Sequence, residues 1–317
     1  MMPWRRQCIE WTACTRPYHW AYDRGWRPRH RTSIPVVSVG GLRMGGTGKT
    51  PMARSVVDYF LQNGIRVAVV SRGYRRQSRG VVVVSRGDGP VVDVRRCGDE
   101  PWMLASSTRA MVVVAEERRV AVEQAAMLGA EVAVLDDGFQ HRRLARDLDI
   151  VLVDAAGPDW VMPFGAAREA PSALKRAQLV VGYGRRPSFA RAAEEIWADV
   201  RFKQWRRLDG RPALPPKTAV LVSAIARPQR FAATVAQQGV RIAAHLAFRD
   251  HRWLTLRDLA RAERACRALG ADGLITTEKD AVRWPTRGQI SVWVAHVELE
   301  ITAGRARFDA ALKAVCA

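Results

Sequence analysis

The stretch Ile34–Pro51 reads IPVVSVGGLRMGGTGKTP and holds the features that decide the fold. Its first part, Ile34–Gly40, is a short apolar run typical of a buried strand, and a glycine-rich turn follows directly. Apolar residues then recur at helical spacing over Pro51–Gln62, and Arg66–Ser71 is the next strand pattern. This strand–loop–helix–strand order predicts a βαβ unit and therefore a parallel sheet with a right-handed crossover.

The loop between this strand and this helix has the composition of a phosphate-binding loop. Small residues let backbone N–H groups wrap a phosphate, and the helix N-terminus adds a positive dipole. We expect the lysine to reach the β- and γ-phosphates of a nucleotide and the threonine hydroxyl to bind Mg²⁺. The strict pattern has glycine at position 43, where this chain has arginine. The predicted nucleotide-binding residues are Arg43, Met44, Gly45, Gly46, Thr47, Gly48, Lys49 and Thr50.

A second strand pattern ends in carboxylates. Val132–Leu135 runs straight into Asp136 and Asp137, and a buried strand that ends in a carboxylate can hold Mg²⁺ directly or through water. The strand pattern Asp149–Asp154 offers a competing carboxylate. We favour Asp136 and Asp137 because a glycine follows at once and polar side chains cluster there.

The rest of the chain extends the α/β pattern into two domains. Within the first, the two runs Gly80–Ser85 and Val91–Arg95 predict a hairpin. A charged, proline-rich stretch indicates a linker, and strand and helix patterns alternate after it. The predicted organisation is an N-terminal segment over 1–31, a P-loop domain with a mostly parallel sheet flanked by helices over 32–204, a linker over 205–217, and a smaller α/β domain over 218–317.

Composition limits the class of partner and the compartment. The net charge of +20 favours an anionic partner, although only six of the 51 basic residues are lysines and a GC-rich genome explains the arginines equally well. The five cysteines are odd in number and lack CxxC spacing, which argues against a disulfide framework or a zinc site and fits a reducing compartment. The sequence contains no run of about 18 apolar residues, so it predicts no ordinary transmembrane helix.

Residues 1–31 combine aromatic and basic side chains. Aromatic rings suit the headgroup depth of a membrane and cations meet anionic lipid there, so we predict binding to an anionic membrane surface. The alternative is an arm packed on the protein's own surface. The residues that carry this pattern are Trp4, Trp11, Trp20, Trp26, Tyr18, Tyr22 and seven arginines between Arg5 and Arg31.

Blocks spread over residues 30–285 resemble the tetraacyldisaccharide 4'-kinase family. They are Val39–Pro51 (VGGLRMGGTGKTP), Ser71–Arg76 (SRGYRR), Gly98–Pro101 (GDEP), Asp136–Asp147 (DDGFQHRRLARD) and Thr277–Val282 (TEKDAV), with weaker echoes at Pro163–Pro171 and Phe248–Thr255. The resemblance implies transfer of the ATP γ-phosphate, with Mg²⁺, to the 4'-hydroxyl of a tetraacyldisaccharide 1-phosphate. The product would be the 1,4'-bis-phosphorylated lipid A precursor. The family also implies attachment to the cytoplasmic face of the bacterial inner membrane through an N-terminal segment.

The resemblance assigns roles to individual residues. Lys49 and Thr50 would serve ATP and Mg²⁺, while Asp99 and His251 would together take the proton of the acceptor hydroxyl. Asp99 could instead cap a helix, and a lone histidine on a loop is commonly a surface residue. The further candidates are Asp136, Asp137 and Glu169 for Mg²⁺, and Tyr74, Gln140 and His141 for the disaccharide. We expect ATP, acceptor and Mg²⁺ to meet between the two domains, with closure during turnover.

Three positions depart from the family pattern: Gly41 stands where asparagine is usual, Arg75 where glycine is usual, and Arg252 where a second histidine is common. These departures weaken the assignment of individual substrate contacts more than they weaken the assignment of the reaction.

Two other functions compete with the kinase. A P-loop ATPase or GTPase without a kinase role would explain the loop and the paired carboxylates, but it leaves Asp99, the Asp250-His251 pair and the aromatic N-terminus without a purpose. A nucleic-acid-binding protein would use the positive charge, yet the chain has no recognised nucleic-acid-binding motif. We therefore predict no nucleic-acid partner and no obligate protein partner.

Overall fold

The computed structural model describes residues 17–46, 48–154, 161, 165–183, 196–285 and 289–316. The chain forms two compact units. The first comprises Met1–Asp199 together with Leu299–Ala317, and the second comprises Val200–Glu298. Two long strands, β8 (Ile196–Arg207) and β12 (Val292–Ala303), contribute residues to both units.

The first unit is built around a mostly parallel sheet with helices on its faces. Its further strands are β1 (Val36–Gly41), β2 (Val67–Ser71), β3 (Val82–Arg86), β4 (Met111–Val114), β5 (Val132–Asp136), β6 (Leu148–Asp154) and β7 (Leu179–Tyr183). Its helices are α1 (Lys49–Gln62), α2 (Val94–Cys97), α3 (Asp99–Ser107), α4 (Arg118–Met127) and α8 (Arg305–Lys313), with a 3-10 helix at Pro171–Arg176 and a helical segment at 17–23.

The strand order β7-β6-β1-β5-β2-β4-β3 places β1 in the interior of this sheet, between β6 and β5. All six residues of β1 are buried, as expected for a parallel strand covered on both faces. Its neighbours β5 and β6 both run parallel to it. The register pairs Val39 with Asp136, so the carboxylates after β5 lie at the same edge of the sheet as the loop after β1.

Apolar helix faces cover the two sides of the sheet. On one side α1 buries Met52, Val56 and Phe60 in a cluster that also contains Phe308 of α8. On the other side α4 buries Val122 among small and branched residues of β1, β2 and β5. This two-sided packing confirms the predicted P-loop-type α/β fold.

The second unit is a smaller α/β body. Its sheet has the order β10-β9-β11-β12-β8, and β9 runs parallel to both β10 and β11. The elements not yet given are β9 (Thr218–Ser223), β10 (Arg241–Ala247), β11 (Gly273–Thr277), α5 (Pro228–Gln237), α6 (Leu256–Ala268) and α7 (Glu278–Ala281).

The predicted hairpin at Gly80–Ser85 and Val91–Arg95 is wrong. Strand β3 instead pairs antiparallel with β4, which is distant in sequence. The segment after it is the short helix α2, because the Asp93 carboxylate accepts a hydrogen bond from the Arg95 N–H at 2.8 Å and caps the helix.

The boundaries also differ from those predicted at 205–217. Trp205 lies in β8 and is buried with Ala219 and Phe231 of the second unit. A turn follows, in which the Arg207 N–H donates to the Arg211 carbonyl at 2.8 Å. The charged residues that indicated a linker lie in and beside this turn, and Pro212 directly after it forms an isolated bridge with Arg206. Helix α8, at the C-terminal end, belongs to the first unit.

Among the described residues, none of the helices combines the length and apolar character that crossing a membrane requires.

The start of α6 offers a test of the local folding of the second unit. The Thr255 hydroxyl accepts from the Asp258 N–H, and the Asp258 carboxylate accepts from the Thr255 N–H, which together form a capping box. We expect Thr255→Ala to lower the free energy of unfolding by about 1 kcal/mol. Thr234→Ala in α5 is the matched control, because that hydroxyl only bonds the Arg230 carbonyl within the helix. Equal shifts of the urea midpoint for the two variants would contradict this role of the cap.

Candidate active site

The loop between β1 and α1 has a backbone that requires glycine. Gly45, Gly46 and Gly48 have φ values of 70°, 47° and 76°, in the left-handed region that glycine adopts without steric cost. A nearby segment of the same chain holds the loop, since the Met44 N–H donates to the Ala166 carbonyl at 2.9 Å. Thr47, one of the predicted nucleotide-binding residues, lies outside the described residues.

The N-terminus of α1 is open to an anion. No described side chain caps it, and its first turn contains no acidic residue. The backbone N–H groups of this first turn lack partners within the helix, and the helix dipole adds positive potential. Lys49 and Thr50 stand in this turn. The described part of the loop therefore has the glycine backbone and the open helix N-terminus that phosphate binding requires.

Lys49 and Thr50 each face one of the two strand-end carboxylates. The Lys49 Nζ lies 3.2 Å from Asp137 Oδ1 and donates to the Arg43 carbonyl at 3.4 Å. The Thr50 Oγ1 donates to Asp136 Oδ2 at 3.3 Å. The structure thus brings together the loop residues and the favoured carboxylates.

The two carboxylates differ in their electrostatics. Burial, together with the negative charges of Glu100 and Asp137, raises the pKa of Asp136 to about 8. Burial also opposes ionisation of Asp137, but Lys49 and Arg168 outweigh it and lower the pKa of that carboxyl. Arg168 binds both Asp137 oxygens, at 2.9 and 2.8 Å. Asp137 is therefore a fixed anion, whereas Asp136 forms no ion pair with a cation in the part of the chain that the structure describes.

This asymmetry fits a divalent cation at Asp136. Its Oδ1 atom is buried and has no hydrogen-bond partner among the described residues. Such an orphaned oxygen beside the Thr50 hydroxyl is a suitable Mg²⁺ ligand. The described residues contain no cluster of three His, Cys, Asp or Glu side chains that could hold a metal by themselves. Nucleotide phosphates and water would complete the coordination of Mg²⁺.

Gln140 and Glu169 belong to a network behind this site. Gln140 Nε2 donates to the Gly41 carbonyl and to Glu169 Oε1, both at 3.1 Å, and its Oε1 accepts from Arg168 at 3.1 Å. Glu169 also receives Arg176 Nη2 on both oxygens, at 3.0 and 2.8 Å. These contacts favour a supporting role for Glu169, and its binding of Mg²⁺ stays a prediction.

The SRGYRR and GDEP blocks pack against each other. A Cβ on Gly98, whose φ is 96°, would lie 3.1 Å from the Tyr74 carbonyl. Asp99 begins α3, is 6% exposed, and accepts the Glu100 N–H at 3.0 Å. Since the charge of Glu100 acts on Asp136, this block lies near the phosphate site. The Tyr74 side chain is 52% exposed.

Arg118 is a charged residue near the site that was not among the residues predicted from the sequence. Burial and the neighbouring Arg72 lower its pKa to about 10, while Asp137 and Asp136 act in the opposite direction. It stands in the first turn of α4, after β4. A basic residue just after a parallel strand was the available signal.

His141 lies beside Arg118 and is neutral at pH 7. Burial and the charges of Arg118 and Arg146 lower its pKa to about 4. A neutral imidazole can exchange hydrogen bonds with sugar hydroxyls but adds no positive charge.

His251 lies in the second unit, on the loop after β10. Its Nε2 is 3.0 Å from Lys279 Nζ and 3.8 Å from Asp250 Oδ2. Its φ of 59° is unusual for a residue other than glycine. Because Asp99 belongs to the first unit, joint action of Asp99 and His251 stays a prediction.

The parallel sheet, the glycine-rich loop and the acidic strand end define a P-loop nucleotide-binding protein. Comparison with known proteins narrows this class. The chain belongs to the tetraacyldisaccharide-1-P 4'-kinase family, whose model matches residues 9–317.

Individual relatives agree with this family. The chain is 40% identical over 288 residues to a tetraacyldisaccharide 4'-kinase from Anaeromyxobacter sp. (strain Fw109-5), which covers 83% of this chain and 76% of that protein. A relative of the same name from Geobacter metallireducens is 39% identical, with coverage of 83% and 82%. The fold is similar to that of LpxK from Aquifex aeolicus in complex with ATP, with a TM-score of 0.81, 24% identity and 98% coverage of both chains.

The lowered pKa of His141 predicts a pH effect on stability. In the unfolded chain a histidine binds a proton below about pH 6.5, whereas folded His141 stays neutral down to about pH 4. The unfolded state therefore binds more protons in this window, and stability falls as the pH drops from about 6.5 towards 4. We expect His141→Gln to lose less stability than wild type between pH 7 and pH 5, measured by urea unfolding. Parallel loss in both proteins would contradict the pKa shift.

Proposed function

We propose that this protein transfers the γ-phosphate of ATP to the 4'-hydroxyl of a tetraacyldisaccharide 1-phosphate. The observation that carries the proposal is the pairing of Lys49 with Asp137 and of Thr50 with Asp136 at the open N-terminus of α1. Membership of the tetraacyldisaccharide-1-P 4'-kinase family supports the choice of acceptor. The product is the 1,4'-bis-phosphorylated precursor of lipid A.

Lys49 is held by two contacts beside the phosphate site. Its ammonium group lies between the Asp137 carboxylate and the Arg43 carbonyl. ATP brings phosphate oxygens to the N–H groups of the first turn, where this ammonium group can bind the β- and γ-phosphates. Most of the catalysis then comes from positioning and charge neutralisation.

Thr50 and Asp136 are the residues that would hold Mg²⁺, with Asp137 as the adjacent anion. When bound, Mg²⁺ neutralises charge on the phosphates. Binding of a cation also removes the need for a proton on Asp136, whose pKa is raised to about 8 by burial and by nearby carboxylates.

Asp99 and His251 are the proposed acceptor-activating pair. A sugar hydroxyl has a high pKa, so a positioned carboxylate or imidazole must take its proton as the phosphoryl group moves. This role of Asp99 is supported by the position of its block in the first unit, where the charge of the adjacent Glu100 acts on Asp136. Closure of the two units around ATP and acceptor remains part of the proposal.

Tyr74 and His141 are the proposed contacts of the disaccharide. The exposed Tyr74 ring offers an apolar face and a hydroxyl, and the neutral His141 offers hydrogen bonds. Gln140 acts less directly, because both ends of its amide already bond protein groups.

We also propose that the protein works at the cytoplasmic face of the bacterial inner membrane. Trp20 and Trp26 are 45% and 69% exposed and stack edge to face with centroids 4.6 Å apart. The buried Arg142 fastens this segment through Asp23 Oδ1 at 2.7 Å and the His19 carbonyl at 2.8 Å. Exposed indole rings on a fixed basic segment suit a lipid headgroup layer. Trp4 and Trp11 lie outside the described residues.

Phosphoryl transfer from γ-labelled ATP to a tetraacyldisaccharide 1-phosphate in detergent micelles tests the reaction. We expect labelled lipid from wild type and a loss of roughly 100-fold or more for Lys49→Ala and for Asp99→Ala. The exposed residues Lys313 and Asp88 provide the controls Lys313→Ala and Asp88→Ala, which should keep wild-type rates.

The outcome also separates the alternatives. ATP hydrolysis without labelled lipid would leave a P-loop ATPase whose acceptor is different. Labelled lipid with an undiminished rate for Asp99→Ala would overturn the role of Asp99 and keep the reaction.

Sedimentation with vesicles tests the membrane proposal. We expect binding to vesicles rich in phosphatidylglycerol, weakening with added salt, because each basic residue near the surface contributes about 1 kcal/mol that salt screens. The double variant Trp20→Ala/Trp26→Ala should bind several-fold more weakly. Leu214→Ala is the matched control, since Leu214 is 86% exposed in the second unit. Equal binding by the two variants would show that these indoles do not contact lipid.

A further inference from the structure

The loop that carries His251 is held by a buried clamp. His251 has a φ of 59°, which costs a residue other than glycine about 1–2 kcal/mol. Its N–H donates to the Ala224 carbonyl at 3.1 Å, and the same carbonyl accepts from Arg283 Nη2 at 3.3 Å. Arg283 Nη1 donates to the Arg252 carbonyl, also at 3.3 Å. The guanidinium group of Arg283 therefore bonds the backbone after His251 directly, and it shares the Ala224 carbonyl with the His251 N–H.

The clamp is anchored by an ion pair. Asp280 and Arg283 are 0% and 3% exposed, and their closest oxygen and nitrogen atoms lie 2.6 Å apart. The second Asp280 oxygen accepts from the Ala224 N–H at 3.0 Å and from the Thr277 hydroxyl at 2.8 Å. A buried ion pair commonly stabilises a fold no better than apolar residues of the same size. Its contacts here converge on the backbone that presents His251, which gives the pair a positioning function.

Lys279 acts on the imidazole itself. Its Nζ lies 3.0 Å from His251 Nε2 and 3.7 Å from Asp250 Oδ1. An ammonium group can only donate, so Nε2 must accept and must carry no proton. A neutral imidazole in this contact therefore carries its proton on Nδ1 and presents that N–H as a donor.

We propose that Lys279 is a positioning residue that fixes His251 as a hydrogen-bond donor through Nδ1, above the Asp280–Arg283 clamp. The inference rests on the proposed role of His251 in phosphoryl transfer. It gives the two residues different roles. The Asp99 carboxylate takes the proton of the acceptor hydroxyl, and His251 positions the reacting groups by donating a hydrogen bond through Nδ1. No proton moves to His251 while Lys279 holds Nε2.

A double-mutant cycle tests the coupling of Lys279 to His251. We expect Lys279→Met to lower kcat roughly ten- to a hundredfold, because small displacements of reacting groups have effects of this size. In the His251→Ala background the same change should alter kcat by less than about twofold. Lys279→Arg keeps a donor and should recover part of the loss. Lys217→Met is the matched control, since Lys217 is exposed in the same unit. Its rate should be that of wild type.

Two further measurements separate positioning from folding and from direct catalysis. His251→Asn keeps an N–H near the position of Nδ1 and tolerates positive φ, so it should exceed His251→Ala in rate by about tenfold or more. Nitrogen-15 NMR of the labelled histidines should show the Nδ1–H tautomer for His251 in wild type and its loss in Lys279→Met, with an unchanged melting temperature.

The outcomes distinguish this inference from the proposed function. Labelled lipid from wild type with full activity of Lys279→Met, or an equal loss in the His251→Ala background, overturns the inference and keeps the kinase. An Nε2–H tautomer in wild type overturns it without any activity assay. Absence of labelled lipid from wild type counts against the proposed function, while the tautomer still decides where Lys279 donates.

Discussion

The ion pair between Lys49 and Asp137 is the interaction on which the phosphate site depends. Two carboxylates lie side by side at a buried strand end. Burial and their mutual repulsion disfavour the ionised form of both unless nearby cations compensate. At 3.2 Å, and with an effective dielectric constant of 20, one such attraction amounts to about 5 kcal/mol before desolvation. Arg168 adds a bidentate contact to the same carboxylate. Lys49 and Arg168 both compensate the negative charge of Asp137. A further cation at this strand end would therefore mainly stabilise the ionised form of Asp136.

The backbone around this ion pair allows little variation. A Cβ on Gly40 would lie 2.5 Å from the Phe139 Cβ, and one on Gly138 would lie 2.8 Å from the Ser38 hydroxyl. Strand β1 and the turn after β5 can therefore approach only through glycine at both positions. The Gly138 N–H then donates to the Val39 carbonyl at 3.0 Å. The Asp-Asp-Gly sequence thus combines the charge of the site with the close packing that places it.

Local signals account for what the sequence could predict. The glycine-rich loop, the strand before it and the paired aspartates lie within short stretches, and a parallel sheet brings consecutive strand ends to one edge. Arg118 was missed because only the pairing of β2 with β4 and β5 places it near Asp136. The false hairpin at 80–95 has the same cause, since β3 pairs with a strand 25 or more residues away. The return of α8 to the first unit likewise depends on long-range contact, with Tyr59 donating to the Asp309 carbonyl at 3.2 Å.

Two departures from the family pattern have physical explanations in the structure. Arg75 has a φ of 58°, the conformation for which the expected glycine is suited, and its guanidinium lies over the Tyr74 ring at 5.3 Å. Arg252 forms hydrogen bonds to both oxygens of Asp258 at 2.8 and 3.0 Å, which ties the His251 loop to the start of α6. Each arginine thus adds a contact beside a proposed substrate or catalytic residue and leaves that residue unchanged. The substitutions therefore change contacts around the proposed site, while the groups proposed to react with ATP and the acceptor are those that the family resemblance implies.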